Sequence, residues 1–419
     1  MARQSEQITD GRVAELAATV PTPFWVYDAQ AIERQIERLR AFDVIRYAQK
    51  ANSNLAVLRI MRRNGVLVDA VSNGEITRAT AAGYELGAAD DQVVFTADIL
   101  DRETLNRVVA DRVPVNCGSP DMIDQIGQAR PGHSVWLRIN PGFGSGHSAK
   151  TNTGGPASKH GIWHENLADA MALIDRHGLD LAGVHMHIGS GVDYAHLENV
   201  CTAMIDTVRQ VGRPIRAISA GGGLSVPYDD NGSEVDTAHY FQLWDTARQA
   251  VSEICGQRVK LEIEPGRFLV AGAGKLVAEV RAVKPVADKF YTLVDAGFNE
   301  LMRPAMYGAH HDIGFVDRQG ERRGNDPAAM AVGGPLCESG DIFTQADGGL
   351  VQFRSLPRPH VGDLAVFEDA GAYGATMSSN YNSRPLAAEI MIDKGQTTLI
   401  RRRQTVAELL ALEEGAPLG

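Results

Sequence analysis

The sequence VIRYAQKAN, residues 44–52, is the stretch around which the rest of the chain can be interpreted. Its apolar residues up to Ala48 show no helical periodicity, which is typical of a buried strand in a parallel sheet. Lys50 closes this run, and a buried ammonium group must be paired or neutralised. A desolvated lysine loses its proton more easily and becomes a nucleophile able to form a Schiff base. The alternative is a lysine that emerges into solvent at the strand end.

The overall composition is that of an ordinary globular protein. The chain has 419 residues, of which 44% are hydrophobic and 22% are charged, and its net charge is -11. This length suffices for two domains, or for one large barrel and a second unit. The negative charge argues against nucleic acids and anionic membranes as partners.

The cysteines and the first 30 residues indicate a cellular compartment. Cys117, Cys201, Cys255 and Cys337 form no CxxC pair and no metal-like spacing, which favours free thiols in a reducing compartment. The first 30 residues carry no signal-peptide pattern, and no apolar run is long enough to span a bilayer. We therefore expect a cytoplasmic protein.

Strand-like and helix-like segments alternate between residues 28 and 271. After the strand that ends near Lys50, the candidate strands are Leu67–Ser72, Gln92–Ala97, Pro114–Cys117, Val135–Asn140, Leu181–Ile188, Ala217–Gly222 and Lys260–Pro265. Helical patterns fill the intervals between them. Such alternation predicts an α/β fold with a (β/α)8 barrel over residues 28–271. An open doubly wound sheet is the structural alternative, which periodicity alone does not exclude.

The pattern changes beyond residue 271. Short β-like runs with few long helical windows follow, at Leu276–Val283, Tyr291–Val294, Val351–Leu356, Leu364–Asp369 and Ile390–Ile392. They predict a second, mainly β domain, a sandwich or barrel, over residues 272–419. Residues 1–27 precede the first barrel helix, so we expect them to join this β domain.

Chemically useful groups follow five of the predicted barrel strands. These groups are Lys50; Ser72, Gly74 and Glu75; His187, Gly189 and Ser190; Gly221, Gly222 and Gly223; and Glu264, Gly266 and Arg267. In a barrel of this kind the chemistry lies at the carboxyl ends of the strands. We therefore expect these groups to share one rim.

A glycine triplet at this rim could hold a phosphate. Gly221–Gly223 would let backbone N–H groups approach an anion closely, while Ser190 could add a hydroxyl and Arg267 a charge. Phosphate sites near the seventh and eighth strands are frequent in such barrels. A tight turn without a ligand is the alternative reading of the triplet.

Two other rim groups suit a ring-shaped cofactor. Glu264, in an otherwise apolar strand, could pair with the pyridinium nitrogen of an electron-sink cofactor, or form a structural ion pair with Arg267. His187 could stack on a ring. His185 and His187 could also bind a metal, although no third ligand is evident, and a core histidine is the other alternative.

Eight motifs along the chain carry a resemblance to a known family. They are YAQKAN (47–52), VSNGE (71–75), HMHIGSG (185–191), AGGGLSVPY (220–228), EPGR (264–267), MRPAMYG (302–308), GPLCESGD (334–341) and GAYG (371–374). In this order they resemble the diaminopimelate decarboxylase family, pyridoxal-phosphate enzymes of the alanine-racemase-like fold. The resemblance covers essentially the whole chain and implies an N-terminal barrel with a C-terminal β domain.

The resemblance implies how pyridoxal 5'-phosphate would be bound. Lys50 would hold it through a Schiff base, His187 would stack on its ring and Glu264 would hold its ring nitrogen. The remaining cofactor-binding residues implied by the family are Ser190, Gly221, Gly222, Gly223, Gly266, Arg267 and Tyr373. Because no third ligand is evident beside His185 and His187, we expect no bound metal.

The resemblance also implies a substrate site shared in a homodimer. Arg267, Arg303, Tyr307, Glu338 and Tyr373 match substrate-contacting positions. Cys337 matches the proton donor, and Cys337 and Glu338 would serve the site of the other subunit. Two departures from the family pattern concern local loops: His160 stands where an aromatic residue is more usual, and Ser219-Ala220 precede the glycines.

The implied reaction is decarboxylation of meso-2,6-diaminopimelate to L-lysine, the last step of lysine biosynthesis. The far end of this substrate carries an ammonium and a carboxylate, which Glu338 and Arg303 would respectively bind. Cys337 is a plausible general acid, whereas a buried free cysteine is the alternative. Three rival functions remain at this stage: a related decarboxylase acting on ornithine, arginine or lysine, an alanine-racemase-type isomerase, and a cofactor-binding regulatory protein.

Overall fold

The computed structural model describes residues 5–144, 153–187, 189, 193–228, 232–324, 326–413 and 415. The strands are β1 Phe24–Asp28, β2 Val44–Ala48, β3 Leu67–Ala70, β4 Val93–Ala97, β5 Val115–Cys117, β6 Ser134–Asn140, β7 Ile162–Trp163, β8 Asp180–His185, β9 Ala217–Ser219, β10 Lys260–Ile263, β11 Gly274–Val286, β12 Lys289–Val294, β13 Ile313–Val316, β14 Pro327–Gly333, β15 Arg354–Pro357, β16 Leu364–Phe367, β17 Ala388–Asp393 and β18 Gln396–Arg401. The α-helices are α1 Asp10–Ala17, α2 Ala29–Glu37, α3 Leu55–Arg63, α4 Asn73–Ala81, α5 Arg102–Ala110, α6 Pro120–Ala129, α7 Leu167–His177, α8 Tyr194–Val211, α9 Thr237–Cys255, α10 Arg267–Val270, α11 Arg303–Tyr307 and α12 Val406–Leu410.

The chain divides into two compact units. The barrel unit consists of Gln35–Ser225 and Glu234–Phe268. The β unit consists of Met1–Arg34, Val226–Ser233 and Leu269–Gly419. Among the helices that the structure describes, none has the length and apolar character needed to cross a membrane.

The barrel unit is a closed ring of parallel strands. The ring runs β5, β4, β3, β2, β10, β9, β8 and β6, and it closes because β6 pairs in parallel with β5. The short strand β7 pairs in parallel with the last two residues of β6, Ile139 and Asn140. This topology confirms the (β/α)8 barrel and excludes the open doubly wound sheet, since an open sheet leaves two edges unpaired.

Local sequence explains why these elements form where they do. The residues of β2 from Ile45 to Ala48 are buried, as expected of a barrel strand covered on both faces. The helices begin at capping residues: the side chain of Ser72 accepts a hydrogen bond from the Glu75 backbone N–H at 3.1 Å at the start of α4. Asp101 and Ser119 cap α5 and α6 in the same way.

Several barrel strands end earlier than the apolar runs predict, whereas β4, β5 and β6 end as predicted. β8 ends at His185 instead of Ile188, and β9 ends at Ser219 instead of Gly222. β2 ends at Ala48, and Lys50 lies beyond it in a 3-10 turn, Gln49–Ala51. The chain leaves the sheet at these points to build the rim, so the polar residues of the motifs lie in turns rather than in strands.

The β unit is built on a mixed sheet whose central strand comes from the N-terminal segment. β1 pairs antiparallel with β11 on one side and parallel with β17 on the other. The path through the sheet is β15, β14, β12, β11, β1, β17 and β18, and β16 joins β11 to β13. Phe24 and Val26 of β1 are fully buried in the core of this unit, so the N-terminal segment is an integral part of the β domain, as predicted.

Candidate active site

Glu264 follows β10 and is held as a fixed anion. It is 8% exposed, and its Oε2 lies 2.8 Å from Nε2 of His185. The hydroxyl of Ser219 donates to its Oε1 at 2.9 Å. Burial alone would raise the pKa of Glu264, but His185, Ser219 and Arg46 outweigh burial and lower it to about 2. The carboxylate therefore stays negatively charged although it is buried.

His187, on the turn after β8, has a neutral imidazole ring. The backbone N–H of Gly222 donates to Nδ1 of His187 at 2.9 Å, so Nδ1 carries the lone pair. Burial lowers the pKa of His187 well below its ordinary value, and the positive charges of Arg138 and Lys50 lower it further. The residue as a whole is partly exposed.

The glycine turn after β9 lies tightly against its neighbours. Gly221 and Gly223 have φ values of +61° and +105°, a region that favours glycine. A Cβ atom on Gly221 would lie 2.5 Å from the carbonyl oxygen of Met186, and one on Gly223 would lie 2.3 Å from that of Gly189. The turn thus has room for bare backbone only, and its Gly221 and Gly222 N–H groups donate to Oγ of Ser219 and Nδ1 of His187.

Lys50 lies on the turn after β2 and is exposed, which agrees with the alternative of a lysine that emerges into solvent at the strand end. The reason is that β2 ends two residues earlier and the 3-10 turn carries the side chain out of the sheet. The Ala48 backbone N–H donates to the Pro265 carbonyl at 3.1 Å. A Cβ atom on Gly266 would lie 3.2 Å from Cβ of Ala51, so the Lys50 turn packs directly beside the turn after β10.

Asp69 adds a second buried acid to this end of the barrel. It is 3% exposed on β3, opposite Ala48 of β2. Burial raises the pKa of Asp69, and the negative charge of Glu264 raises it further, to about 8. The two carboxyl groups therefore differ in charge at neutral pH, with Glu264 ionised and Asp69 protonated.

Several buried polar atoms of the barrel lack a hydrogen-bond partner among the residues that the structure describes. Those on or next to barrel strands include Gln49 Oε1, Asn116 Oδ1 and His185 Nδ1. Buried polar atoms without a protein partner require water or a bound polar molecule. The barrel thus provides polar groups that its own side chains leave unsatisfied.

The β unit carries the remaining predicted residues on α11 and two loops. Arg303, at the start of α11, is 5% exposed, and Tyr307 ends the same helix. Cys337 and Glu338 are both exposed. The Cys337 backbone N–H donates to Oδ1 of Asn382 at 3.0 Å. This exposure agrees with a reactive thiol and not with a core cysteine.

Two further features shape these loops. The buried carboxylate of Asp341 accepts hydrogen bonds from the Leu336 and Phe298 backbone N–H groups, both at 2.8 Å, and so braces the loop of Cys337. Tyr373 has a φ of +56°, a conformation that a non-glycine residue adopts at some energetic cost. Such strain is frequent at functional sites.

Known proteins of the same kind agree with this geometry. The model of the family "Pyridoxal-dependent decarboxylase, pyridoxal binding domain" matches residues 29–271. Diaminopimelate decarboxylase of Streptomyces coelicolor is 64% identical over 409 residues, which cover 97% of this chain and 93% of that protein. The enzyme of the same name from Escherichia coli K12 is 58% identical over 407 residues, 97% of both. A crystal structure of diaminopimelate decarboxylase superimposes with a TM-score of 0.96 at 56% identity and full coverage of both chains.

The chain belongs to the diaminopimelate decarboxylase family. It is thus a pyridoxal-dependent decarboxylase, and the resemblance given by its motifs is confirmed. Its residues fit the cofactor on structural grounds. Glu264 is a buried anion that suits a protonated ring nitrogen, and buried polar atoms without a partner among the described residues lie on or next to the barrel strands.

The barrel unit brings most of the predicted cofactor residues together. Lys50, His187, Gly221–Gly223, Glu264, Gly266 and Arg267 lie on the turns after β2, β8, β9 and β10, which are consecutive in the ring. Ser190 lies outside the described residues. Arg303, Tyr307, Cys337, Glu338 and Tyr373 belong to the β unit.

Sequence reasoning missed how Glu264 is held. His185 was considered only as a metal ligand or a core histidine, yet its Nε2 faces Glu264, while Nδ1 of His187 faces Gly222. Within the described ranges, no group of three or more His, Cys, Asp or Glu side chains is placed to hold a metal ion. Ser219, noted only as a departure from the family pattern, donates to Glu264. The spacing of the two histidines was the available signal.

The second departure, His160, also has a partner. Its Nδ1 contacts Oδ2 of Asp98, the residue directly after β4, and the Gly161 backbone N–H donates to the other oxygen at 3.3 Å. Asp98 further lies 3.9 Å from Arg138. An imidazole stands here in place of the usual aromatic ring, and polar contacts tie residues 160–161 to the barrel rim.

Proposed function

We propose that this protein decarboxylates meso-2,6-diaminopimelate to L-lysine and carbon dioxide, with pyridoxal 5'-phosphate as its cofactor. The observation that carries the proposal is the buried carboxylate of Glu264, kept ionised by His185 and Ser219 on the barrel rim that also bears Lys50. A buried anion of this kind is what a protonated pyridine nitrogen needs as its partner. Family membership supports the same conclusion.

The residues of the barrel unit have distinct roles in this proposal. Bound pyridoxal phosphate supplies an electron sink for the electron pair left when the carbon–carbon bond breaks. Lys50 offers the amine that binds the cofactor covalently, and Glu264 keeps the ring nitrogen protonated. His187 packs against the ring, and Tyr373 of the β unit completes the contacts. The proposed phosphate-binding groups are Ser190, Gly221, Gly222, Gly223, Gly266 and Arg267.

Charge matching supports diaminopimelate as the substrate. Its far end carries both an ammonium and a carboxylate, whereas ornithine or lysine bound for decarboxylation at the α-carbon presents only an ammonium there. Glu338 suits the ammonium, and the guanidinium of Arg303 suits the carboxylate. We assign Arg267, Tyr307 and Tyr373 to the same substrate.

Proton return completes the reaction. After carbon dioxide leaves, the carbon needs a proton, and we assign its delivery to the thiol of Cys337. Cys337 and Glu338 are proposed to serve the site of a second subunit in a homodimer. An exposed thiol that must stay reduced also favours the cytoplasm as the compartment.

The direct test is an assay on the purified protein. Incubation with meso-diaminopimelate and pyridoxal phosphate should release L-lysine and carbon dioxide in equal amounts. L-Ornithine and L-lysine, offered as substrates at the same concentration, should release little carbon dioxide. Lys50→Ala serves as the inactive control. Faster carbon dioxide release from ornithine or lysine than from diaminopimelate would refute the substrate assignment, and racemisation without carbon dioxide would refute the reaction.

A further inference from the structure

The guanidinium of Arg303 is held from two sides within the β unit. Its Nη1 lies 2.8 Å from Nε2 of His311, and its Cζ lies 4.5 Å from the ring centroid of Tyr228. We propose that Tyr228 and His311 are positioning residues that aim Arg303 at the carboxylate on the far end of the substrate. They would thereby set the preference for ligands that carry this carboxylate. The inference rests on the proposed function, in which Arg303 binds that group.

The hydrogen bonds of His311 fix its protonation state. Its Nδ1 lies 2.9 Å from the carbonyl oxygen of Glu368, which can only accept, so Nδ1 carries the proton. Nε2 then has a lone pair, and it accepts from Arg303, which can only donate. The neutral ring thus accepts a hydrogen bond from one particular N–H of the guanidinium. This bond restricts the orientation of the guanidinium plane.

Tyr228 restrains the guanidinium of Arg303 from a second side. Its ring covers one face of the guanidinium at cation–π distance. The same ring packs edge-to-face against His311, with centroids 5.5 Å apart and an interplanar angle of 73°. The three side chains therefore form one cluster, in which a rotation of Arg303 would break both its stacking and its hydrogen bond.

The support of this cluster is itself anchored in the sheet. The His311 carbonyl accepts a hydrogen bond from Nη1 of Arg354 at 2.8 Å, and the Glu368 backbone N–H donates to the Asp312 carbonyl at 2.9 Å. His311 also precedes β13, which pairs with β16 immediately before Glu368. The acceptor of Arg303 is thus placed by main-chain contacts of the sheet, as pre-organised recognition requires.

Positioning predicts an effect on binding that depends on the carboxylate of the ligand. An arginine released from this cluster could still reach an anion, but it would have to be ordered during binding. We therefore expect a KM for meso-diaminopimelate raised about 10-fold, with a nearly unchanged kcat, when the hydrogen bond or the stacking is removed. A merely structural role would reduce the amount of folded protein or would affect all ligands alike.

L-Lysine and cadaverine provide the discriminating pair of ligands. Both carry two amines, and only lysine keeps the carboxylate. Their inhibition constants against diaminopimelate should differ strongly for the parent protein. His311→Phe and Tyr228→Leu should raise the inhibition constant of lysine about 10-fold and leave that of cadaverine nearly unchanged. His311→Gln, which keeps an acceptor, and Tyr228→Phe, which keeps the ring, should retain the preference.

His310→Phe is the matched control, since the Nε2 of this neighbouring histidine contacts Asp312 at 2.9 Å instead of Arg303. It should leave both inhibition constants unchanged. Thermal melting confirms that each variant is folded, and Tyr228→Leu carries the test if His311→Phe does not fold. The inference is overturned if His311→Phe and Tyr228→Leu weaken the binding of lysine and of cadaverine equally. It is also overturned if they change neither inhibition constant while Arg303→Leu removes the preference for lysine over cadaverine. A parent protein that does not turn over diaminopimelate would instead refute the proposed function, on which the inference rests.

Discussion

Nε2 of His185 lies 2.8 Å from Oε2 of Glu264, and the two residues are 1% and 8% exposed. Because burial opposes the charge of Glu264, its ionisation depends on this contact and on Ser219. Glu264→Gln removes the charge and keeps the shape. We expect it to bind the cofactor with little loss, since the glycine turn is untouched, and to lower kcat by about 10²–10³.

Spectroscopic titration with pyridoxal phosphate and steady-state kinetics measure these two effects separately. Glu253→Gln, an exposed glutamate of α9, is the matched control and should behave as the parent protein. A Glu264→Gln protein with unchanged kcat would mean that Glu264 is only a structural partner of His185.

Lys50 should carry the cofactor although it is exposed. Borohydride reduction of the loaded protein followed by peptide mapping should place the pyridoxyl group on Lys50 alone. Lys50→Ala should lose the visible absorbance of the bound cofactor and nearly all turnover, because the covalent link is lost. Lys260→Ala, at an exposed lysine that begins β10, should retain both. A label on any other lysine would contradict the assignment.

Asp69 should make the folded barrel less stable as the pH rises. Its folded-state pKa of about 8 lies above its ordinary value of 3.8. Such a group contributes stability that is complete below about pH 3.8 and is lost as the pH rises through about 8. The asparagine in Asp69→Asn cannot ionise, so the urea midpoint of this variant should rise relative to that of the parent protein between pH 5 and pH 9.

Asp90→Asn, at an exposed loop position of the same unit, provides the baseline for this comparison. Its midpoint should follow that of the parent protein at every pH. If the difference between Asp69→Asn and the parent protein stayed constant from pH 5 to pH 9, Asp69 would not be the group that titrates.

Subunit mixing tests whether Cys337 acts across an interface. Lys50→Ala and Cys337→Ala should each be nearly inactive. The catalytic rate of Cys337→Ala should fall by a factor of about 10²–10⁴, which is the usual effect of losing a placed general acid. In a shared-site dimer, each mixed pair has one intact site and one site with both lesions. Random exchange should then restore roughly a quarter of the parent activity.

Mass spectrometry should confirm the exchange of subunits, and Cys201→Ala, at a buried cysteine of α8, controls for loss of a thiol elsewhere. No recovery after confirmed exchange would place Cys337 in the same site as Lys50 of its own chain. Full activity of Cys337→Ala alone would remove it from the mechanism.

The barrel could be predicted from sequence because each strand is a compact apolar run between capped helices. Val44–Ala48 and Lys260–Ile263 lie more than 200 residues apart in the sequence, yet both have this pattern and pair in the ring. Strand ends were less predictable. Hydrophobicity continues through Met186 and Ala220, whereas β8 and β9 end at His185 and Ser219.

The residues that act through others were hidden from the sequence. Lys50, Glu264 and Cys337 stand in motifs whose residue types suggest chemistry. Tyr228 and His311, by contrast, lie 83 residues apart. Their proposed role in positioning Arg303 becomes visible only when folding places both of them against it. The pKa of Asp69 likewise depends on burial and on Glu264, neither of which its local sequence reveals.

The position of β1 between β11 and β17 has a consequence for biosynthesis. A ribosome releases Phe24–Asp28 early, but its parallel partner Ala388–Asp393 emerges only after nearly the whole chain has been made. All barrel strands lie between Val44 and Ile263, so they can pair while synthesis continues. The nascent chain must meanwhile carry an apolar strand without its neighbours, and it is during this interval that we expect assistance from chaperones to matter most.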